Sequence, residues 1–338
     1  MHTNIAVPSI PVARALVIAP WMESAQSLGA PAEALLVRAG IRPEVLDHAT
    51  AAVPLKKLFY WMELVCRSLG TEHLGVNVGD ATGIDDLGHY GRMLTGALTL
   101  HQYLQQGISL YGTLVVGQSF WLSAHGSQVR INLSGPWEPD LGEYQNYLYS
   151  FAITIANIRR FAGPDWAPTE ISFGFRAREA IPAADIFGGT RPVYRPGQAY
   201  IEFPRAMLGL RLRQSAPAPA AEQSALSRPL PTDLAGLVEL QIESLLPDRA
   251  APVDLVAETL GASRRSLQRG LAVQGVSYTD LLAAVRVRRA ETWLARTDKP
   301  VMEIAFDLGY TDASNFTRAF RRQTGVSPKA FRDTAGRD

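Results

Sequence analysis

At about 150 residues per domain, 338 residues make about two domains, each long enough to bury a hydrophobic core. Hydrophobic residues at 47% and charged residues at 19% exclude a disordered chain, and the 28 Gly and 22 Pro follow no collagen period. The net charge of +1 conceals an asymmetry: residues 1–210 carry 15 Lys/Arg against 17 Asp/Glu, whereas residues 261–332 carry 13 against 6, a net of +7 that suits a nucleic-acid module.

In chain order, glycines punctuate the first ~115 residues, each placed to supply the left-handed residue just past a helical end. The predicted helices are 11–28 before Gly29, 31–39 before Gly40, 55–69 before Gly70, then 85–95 and 99–111. Between Ser119 and Leu133 two β-favouring runs flank a turn containing Gly126, a hairpin signal. A long helix is predicted over 141–161, stopping at Gly163-Pro164 because Pro cannot continue the hydrogen-bond ladder. Residues 170–175 (EISFGF) and 199–203 (AYIEF) read as further strands. Residues 1–212 are thus predicted to be an α+β domain, helix-rich with a small antiparallel sheet. Pro217, Pro219, Pro229 and Pro231 then mark 213–231 as a flexible, semi-extended Pro/Ala-rich linker. Helical periodicity resumes near Leu234, so 232–338 is predicted to be all-α.

That last segment repeats itself. Pro252, Val253, Val256, Ala257, Leu260 and Gly261 recur 48 residues later as Pro300, Val301, Ile304, Ala305, Leu308 and Gly309. One inserted residue shifts the offset to 49, and Ser263, Leu267, Arg269 and Leu271 recur as Asp312, Phe316, Arg318 and Phe320. Each copy is an apolar helical face ended by Gly, an N-capping Ser or Asp, and a second helix with apolar residues at i and i+4. This is the helix-turn-helix pattern, predicted at about 252–273 and 300–323, whose second helix offers its outer face to the major groove. The outer faces are Arg265, Gln268, Arg269 and Ala272 in the first copy and Ser314, Thr317, Arg318 and Arg321 in the second. Arg forks onto guanine and Gln onto adenine, while Ser and Thr discriminate poorly, so base reading is assigned mainly to the first copy and phosphate anchoring to the second. Arg264, Asn315 and Arg322, beside these faces, complete the expected DNA contacts.

A helix over 278–294, with Leu281, Leu282, Val285, Ala290, Trp293 and Leu294 as its apolar residues, would hold the two units rigidly about one DNA turn of ~34 Å apart. Its Arg288 and Arg289, with Arg296 beyond, read equally as a solvated face or as phosphate contacts, and Arg286 as a contact or a brace for the repeat core.

With Ile304-Ala305, Leu308-Gly309-Tyr310, the run from Asn315 to Arg322, Gly325-Val326-Ser327-Pro328 and Phe331-Arg332, residues about 235–332 resemble the AraC/XylS transcriptional regulators. The resemblance implies two helix-turn-helix units in one chain on double-stranded DNA, and activation of transcription by contact with RNA polymerase. Residues 35–41 (LLVRAGI), 74–79 (LGVNVG), Leu98-Thr99-Leu100 and 191–208 resemble the arabinose-binding-like sensor domain of the ornithine-utilisation type of regulator. Sugar binding is not carried over, because the opening here is helical whereas the better-known AraC sensor opens with a cupin barrel. The domain 1–212 is therefore expected to sense an unknown small-molecule effector and to form a homodimer.

Trp121, Trp137, Tyr144, Tyr147 and Phe151 are candidates for an effector pocket, since such pockets are mostly apolar. The competing reading is ordinary core, and Leu141, Tyr144, Leu148, Phe151, Ala152 and Ile155 do fall on one helical stripe. An enzyme domain that modifies small molecules, fused to a DNA-binding tail, is the alternative function. The first half opposes it by offering no nucleophile–base, metal or Gly-rich phosphate motif, so no catalytic residue and no cofactor are assigned. The six His are scattered. The single cysteine, Cys66, permits no intramolecular disulfide, multi-thiolate metal site or alkyl-transfer repair chemistry, and reads as a buried thiol. With no basic n-region at the N-terminus and no run of ~18 apolar residues, the chain is expected to be cytoplasmic and away from membranes.

Overall fold

The computed structural model describes residues 10–48, 50–135, 143–175, 187–212, 226, 228–246 and 251–335. The chain divides into two compact units, with the boundary between Leu230 and Pro231.

The first unit opens with β1 (Val12–Arg14), which pairs antiparallel with β2 (Ala52–Pro54) on one side and β3 (Val115–Val116) on the other. The single helix predicted over 11–28 is therefore corrected: after β1 comes a 3-10 turn, Ala15–Ile18, and α1 covers only Ala19–Ser27. Val12, Ala13 and Arg14 are all buried between their two neighbours, and that burial overrides the local helical pattern. The next helices, α2 (Ala32–Arg38) and α3 (Leu55–Leu69), follow the prediction, with Gly70 left-handed at the end of α3. Then come α4 (Leu74–Ala81), which the sequence reading did not include, α5 (Gly88–Leu94) and α6 (Leu100–Leu110). Thr99 caps α6 by accepting from the Gln102 amide at 3.2 Å.

The expected hairpin is β4 (Ser119–His125) and β5 (Gln128–Ser134), turning at Gly126 and in register from Ser119↔Ser134 to His125↔Gln128. It is followed by α7 (Glu143–Ala162), β6 (Glu170–Phe173), β7 (Val193–Tyr194) and β8 (Ala199–Pro204). The five strands run in the order β4-β5-β8-β6-β7, antiparallel except for the parallel β6–β7 pair. The single small antiparallel sheet of the sequence reading is thus two sheets, one with a parallel edge.

Against the larger sheet α7 packs Tyr147, Leu148, Phe151, Ala152 and Ile155, together with Ile171, Phe173 and Ile201. On another side α7 meets α4, where the glycines of LGVNVG permit near-contact of backbones. A Cβ on Gly75 would stand 2.3 Å from the Gln145 carbonyl oxygen, and one on Gly79 would stand 2.5 Å from that of Tyr149.

Of the linker expected over 213–231, residues 213–225 and 227 lie outside the described residues. Its last residues are held rather than flexible. The buried Arg14 guanidinium donates to the carbonyls of Thr113 (2.5 Å), Thr50 (3.1 Å) and Arg228 (2.6 Å). Leu230 is buried, and its amide donates to the Gly112 carbonyl at 2.8 Å.

The second unit is all-α, as expected. Its helices are α8 (Leu234–Leu245), α9 (Val253–Thr259), α10 (Arg264–Val273), α11 (Tyr278–Arg296), α12 (Val301–Asp307), α13 (Ala313–Thr324) and α14 (Pro328–Ala335). Val287, Ala290 and Leu294 of α11 share a core with Ile304, Ala305, Leu308, Phe316 and Phe320. Leu281 and Val285 are also buried, whereas Leu282 and Trp293 are half-buried. Val287, absent from the predicted stripe, belongs to it.

Candidate nucleic-acid interface and buried cavity

Both repeats fold alike for local reasons. Gly261 after α9 has φ +68° and Gly309 after α12 has φ +76°, conformations in which a Cβ is strained. Two residues after Gly261 and three after Gly309, the cap closes the next helix: the Ser263 hydroxyl accepts from the Ser266 amide (3.1 Å) and the Asp312 carboxylate from the Asn315 amide (2.7 Å). Leu267 and Leu271 turn the inner face of α10 into the core, and Phe316 and Phe320 do the same for α13.

The opposite faces are left to solvent. Arg264, Arg265, Gln268, Arg269 and Ala272 of α10 are exposed, as are Ser314, Asn315, Arg318, Arg321 and Arg322 of α13. Thr317 is half-buried and its hydroxyl donates back to the Ala313 carbonyl (2.8 Å), so it offers less outward than the sequence suggested. Arg318 donates to Asn315 Oδ1 at 2.5 Å, and Asn315 Nδ2 donates to the Asp312 carboxylate at 2.5 Å, a short chain that fixes the start of α13.

The arginines of α11 divide. Arg286 lies over the Tyr310 ring, 4.8 Å from its centroid, and donates to the Gly309 carbonyl at 3.3 Å, so it braces the second turn. Arg288 pairs with Glu239 (2.7 Å) and Glu243 (3.5 Å), and Arg289 donates to the Glu243 carbonyl (3.1 Å). Both are directed at α8, which disfavours the phosphate-contact alternative for them. Arg296 is exposed at the end of α11.

The first unit holds a partly open cavity of about 150 Å³ between α3, α5, α6, α7 and the sheets. Its wall is mainly carbon, from side chains such as Leu58, Met62, Leu104 and Ile131, and none of the described residues lining it is charged. Four phenols line it, and burial pushes the ionisation of Tyr90, Tyr103 and Tyr111 well up and that of Tyr149 up to about 12, so all four are neutral at physiological pH.

None of the described aromatic residues expected to line an effector pocket lines this cavity. Trp121 is exposed on β4, Tyr147 and Phe151 are core, and Trp137 lies outside the described residues. Tyr144 hydrogen-bonds to His73 Nδ1 at 2.8 Å and meets the edge of Phe175. The cavity takes the other face of α7, with Asn146, Tyr149, Ser150, Ile153, Thr154 and Asn157. Sequence reasoning missed these residues, although polar side chains recurring beside an apolar stripe were visible.

Residues 29–212, more than half of the chain, match the family described as the N-terminal arabinose-binding domain of AraC transcription regulators, and residues 256–334 match a helix-turn-helix domain family. The chain belongs to the AraC family of transcription regulators. It is similar over its whole length to the ornithine utilization regulator of Pseudomonas aeruginosa, with 26% identity covering 98% of each chain. It is also similar to the regulator VirS of Mycobacterium tuberculosis, with 26% identity over 92% of this chain and 93% of that one. SoxS of Escherichia coli is 36% identical over 25% of this chain and 80% of its own. Among solved structures, the regulator CdpR of Pseudomonas aeruginosa aligns with 20% identity and a TM-score of 0.42 over 90% of this chain and 96% of that chain. This AraC-family chain is a DNA-binding transcription regulator, and the naming of its relatives as regulators favours that reading over the fused-enzyme alternative. Among the described residues, no helix is long and apolar enough to cross a membrane.

Proposed function

We propose that this regulator reads specific DNA sequence with α10 and anchors to phosphates with α13, and that a small molecule held in the buried cavity governs its affinity. The observation that carries the DNA half is the matched pair of caps: after each left-handed glycine, a capped helix turns arginines outward from a buried apolar stripe. Arg264, Arg265, Gln268 and Arg269 are the base-reading set. Ser314, Asn315, Thr317, Arg318, Arg321 and Arg322 are mainly the anchoring set.

Residues 1–212 are assigned to effector sensing and dimerisation and 232–338 to DNA binding, without catalysis, in the cytoplasm. Activation through contact with RNA polymerase follows from the family resemblance. Two small molecules appear in the names of the family and of a relative, and neither suits the cavity. With no charged side chain among its described lining residues, it cannot pair the ammonium groups and carboxylate of ornithine, and its carbon-rich wall would leave most hydroxyls of arabinose unpaired.

The test is a salt titration of DNA affinity with the full chain. If ~5 phosphates are neutralised, log K falls against log[salt] with a slope near −4.5. A slope near zero would remove the phosphate contacts from the proposal.

A further inference from the structure

Two buried amide nitrogens in the cavity wall have no acceptor. Gln118 and Asn146 both line it and are 7% and 8% exposed, yet Gln118 Nε2 and Asn146 Nδ2 have no hydrogen-bond partner. Gln118 Oε1 accepts from the Tyr111 hydroxyl at 2.6 Å, which leaves both Nε2 hydrogens over. Turning the amide round would let Nε2 donate to the phenol oxygen but would leave Oε1 facing the cavity without a donor, so it is the Tyr111–Gln118 hydrogen bond as it stands that turns the amide donor inward. Buried donors without acceptors are rare because they forfeit their hydration for nothing, and a ligand acceptor would repair that loss.

We infer that the cavity binds a small uncharged carbonyl compound, an amide, ester or ketone on a compact hydrocarbon body, with the carbonyl oxygen accepting from Gln118 Nε2 and Asn146 Nδ2. This rests on the reading of the first unit as an effector sensor and adds the chemical class of the effector. A carbonyl oxygen has two lone pairs and needs no counter-ion. A carboxylate would have to shed its water with no cation in the wall, and an ammonium with no anion. A cavity of about 150 Å³ is the size that accepts a benzene ring, so the body has roughly six to ten non-hydrogen atoms. The rival occupant is water, which could hydrogen-bond the two amides and other polar groups of the wall such as Tyr149 and Ser150.

Acetophenone, benzoate and ethylbenzene share one body and differ in the feature at issue: a neutral carbonyl, a charged carboxylate, and neither. With the full-length protein, a saturating excess of acetophenone is expected to raise the melting temperature of the first unit by ~3 °C or more. Benzoate is expected to give no shift, and ethylbenzene to bind at least ~5-fold more weakly than acetophenone by calorimetry, the loss of a hydrogen bond. Gln118→Leu and Asn146→Leu keep the side-chain volume roughly and remove the donor. Each should weaken acetophenone ~3- to 10-fold and leave ethylbenzene unchanged. Should either variant fail to fold, the three-ligand comparison on the parent protein decides alone. Equal binding of benzoate and acetophenone, equal binding of ethylbenzene and acetophenone, or no binding of any of the three would each overturn the inference, the last pointing to a water-filled cavity. DNA affinity, measured separately, distinguishes the two readings. Acetophenone that binds without changing DNA affinity leaves the ligand class standing and removes the effector reading. A DNA response to other small molecules that survives Gln118→Leu removes the site and leaves the effector reading.

Discussion

Arg286 and Gly309 meet at the turn between α12 and α13, where a left-handed backbone carbonyl accepts a hydrogen bond from the guanidinium. Ala at 309 must adopt φ +76° with a Cβ, so Gly309→Ala is expected to cost the DNA-binding unit ~1 kcal/mol or more, seen as a lower melting temperature. An unchanged melting temperature would mean that the turn relaxes away from this conformation. Cys66 makes the opposite kind of residue-scale point, because its chemistry is suppressed. Burial first, then the Glu63 carboxylate, push the thiol up to about 12, so at pH 8 it stays protonated inside α3. A thiol-specific reagent should label it only after denaturant is added, and fast labelling of the native protein would contradict the burial. The sign for stability follows. Cys66 and Tyr149 have folded values raised to about 12, so their contribution is complete below the unfolded values and is lost as pH rises toward 12. Melting temperature in a series from pH 8 to about 12 should therefore fall progressively above pH ~9, the lower edge set by the unfolded thiol.

The two outward helices are expected to fail differently when cut back. Gln268→Ala should lose ~1–3 kcal/mol on the preferred site and little on random DNA, because base contacts specify, whereas Arg321→Ala should weaken both about equally. Equal losses on both DNAs for Gln268→Ala would reassign α10 to the backbone. In the first unit the sensitive element is α4, where Gly79→Val would drive a branched side chain into the Tyr149 carbonyl of α7, with less thermal stability expected.

The same elements mark what a reader of the sequence can and cannot see. The repeat was legible because glycine, cap and apolar stripe follow one another directly along the chain, and each is a local rule. An eight-residue helix with glycines at 75 and 79 is disfavoured at ~1 kcal/mol per Gly, so α4 stands only because α7, some 70 positions on, packs against it. Val12–Arg14 is likewise a strand because of partners at 52–54 and 115–116. Pro20, in the first turn of α1, was the local sign that the helix starts late. On α7 the aromatic stripe drew attention to the core face. The cavity face announced itself only through Asn146, Ser150 and Asn157, buried polar residues whose environment is assembled by α3, α5 and α6.

At the scale of the whole molecule, if a ligand in the cavity governs DNA affinity as proposed, its influence is expected to run through the point where the chain is tied down. Ala13, Tyr111 and Leu114 line the cavity, and their chain neighbours Arg14, Gly112 and Thr113 are the residues that hold Arg228 and Leu230 or brace that hold. Only Pro231–Asp233 then separate the held Leu230 from the start of α8. A change of cavity shape is thus one residue away from the anchor of the segment that leads into the DNA-binding unit, whereas residues 213–219 lie upstream of that anchor. About four Gly/Ser residues inserted after Pro219 should leave DNA affinity and its response to acetophenone nearly unchanged, since loop closure grows only logarithmically with length. The same insertion after Pro231 should abolish the response while leaving binding of acetophenone intact, because the anchor no longer bears on α8. Gel-shift affinities with and without acetophenone on one-site and two-site DNA measure this, and they also test dimerisation: a full-length dimer should prefer the two-site DNA, joined modules raising each other's effective concentration. If the response survives insertion after Pro231 and the two-site preference is effector-dependent, control runs through dimerisation and not through the Arg14 anchor.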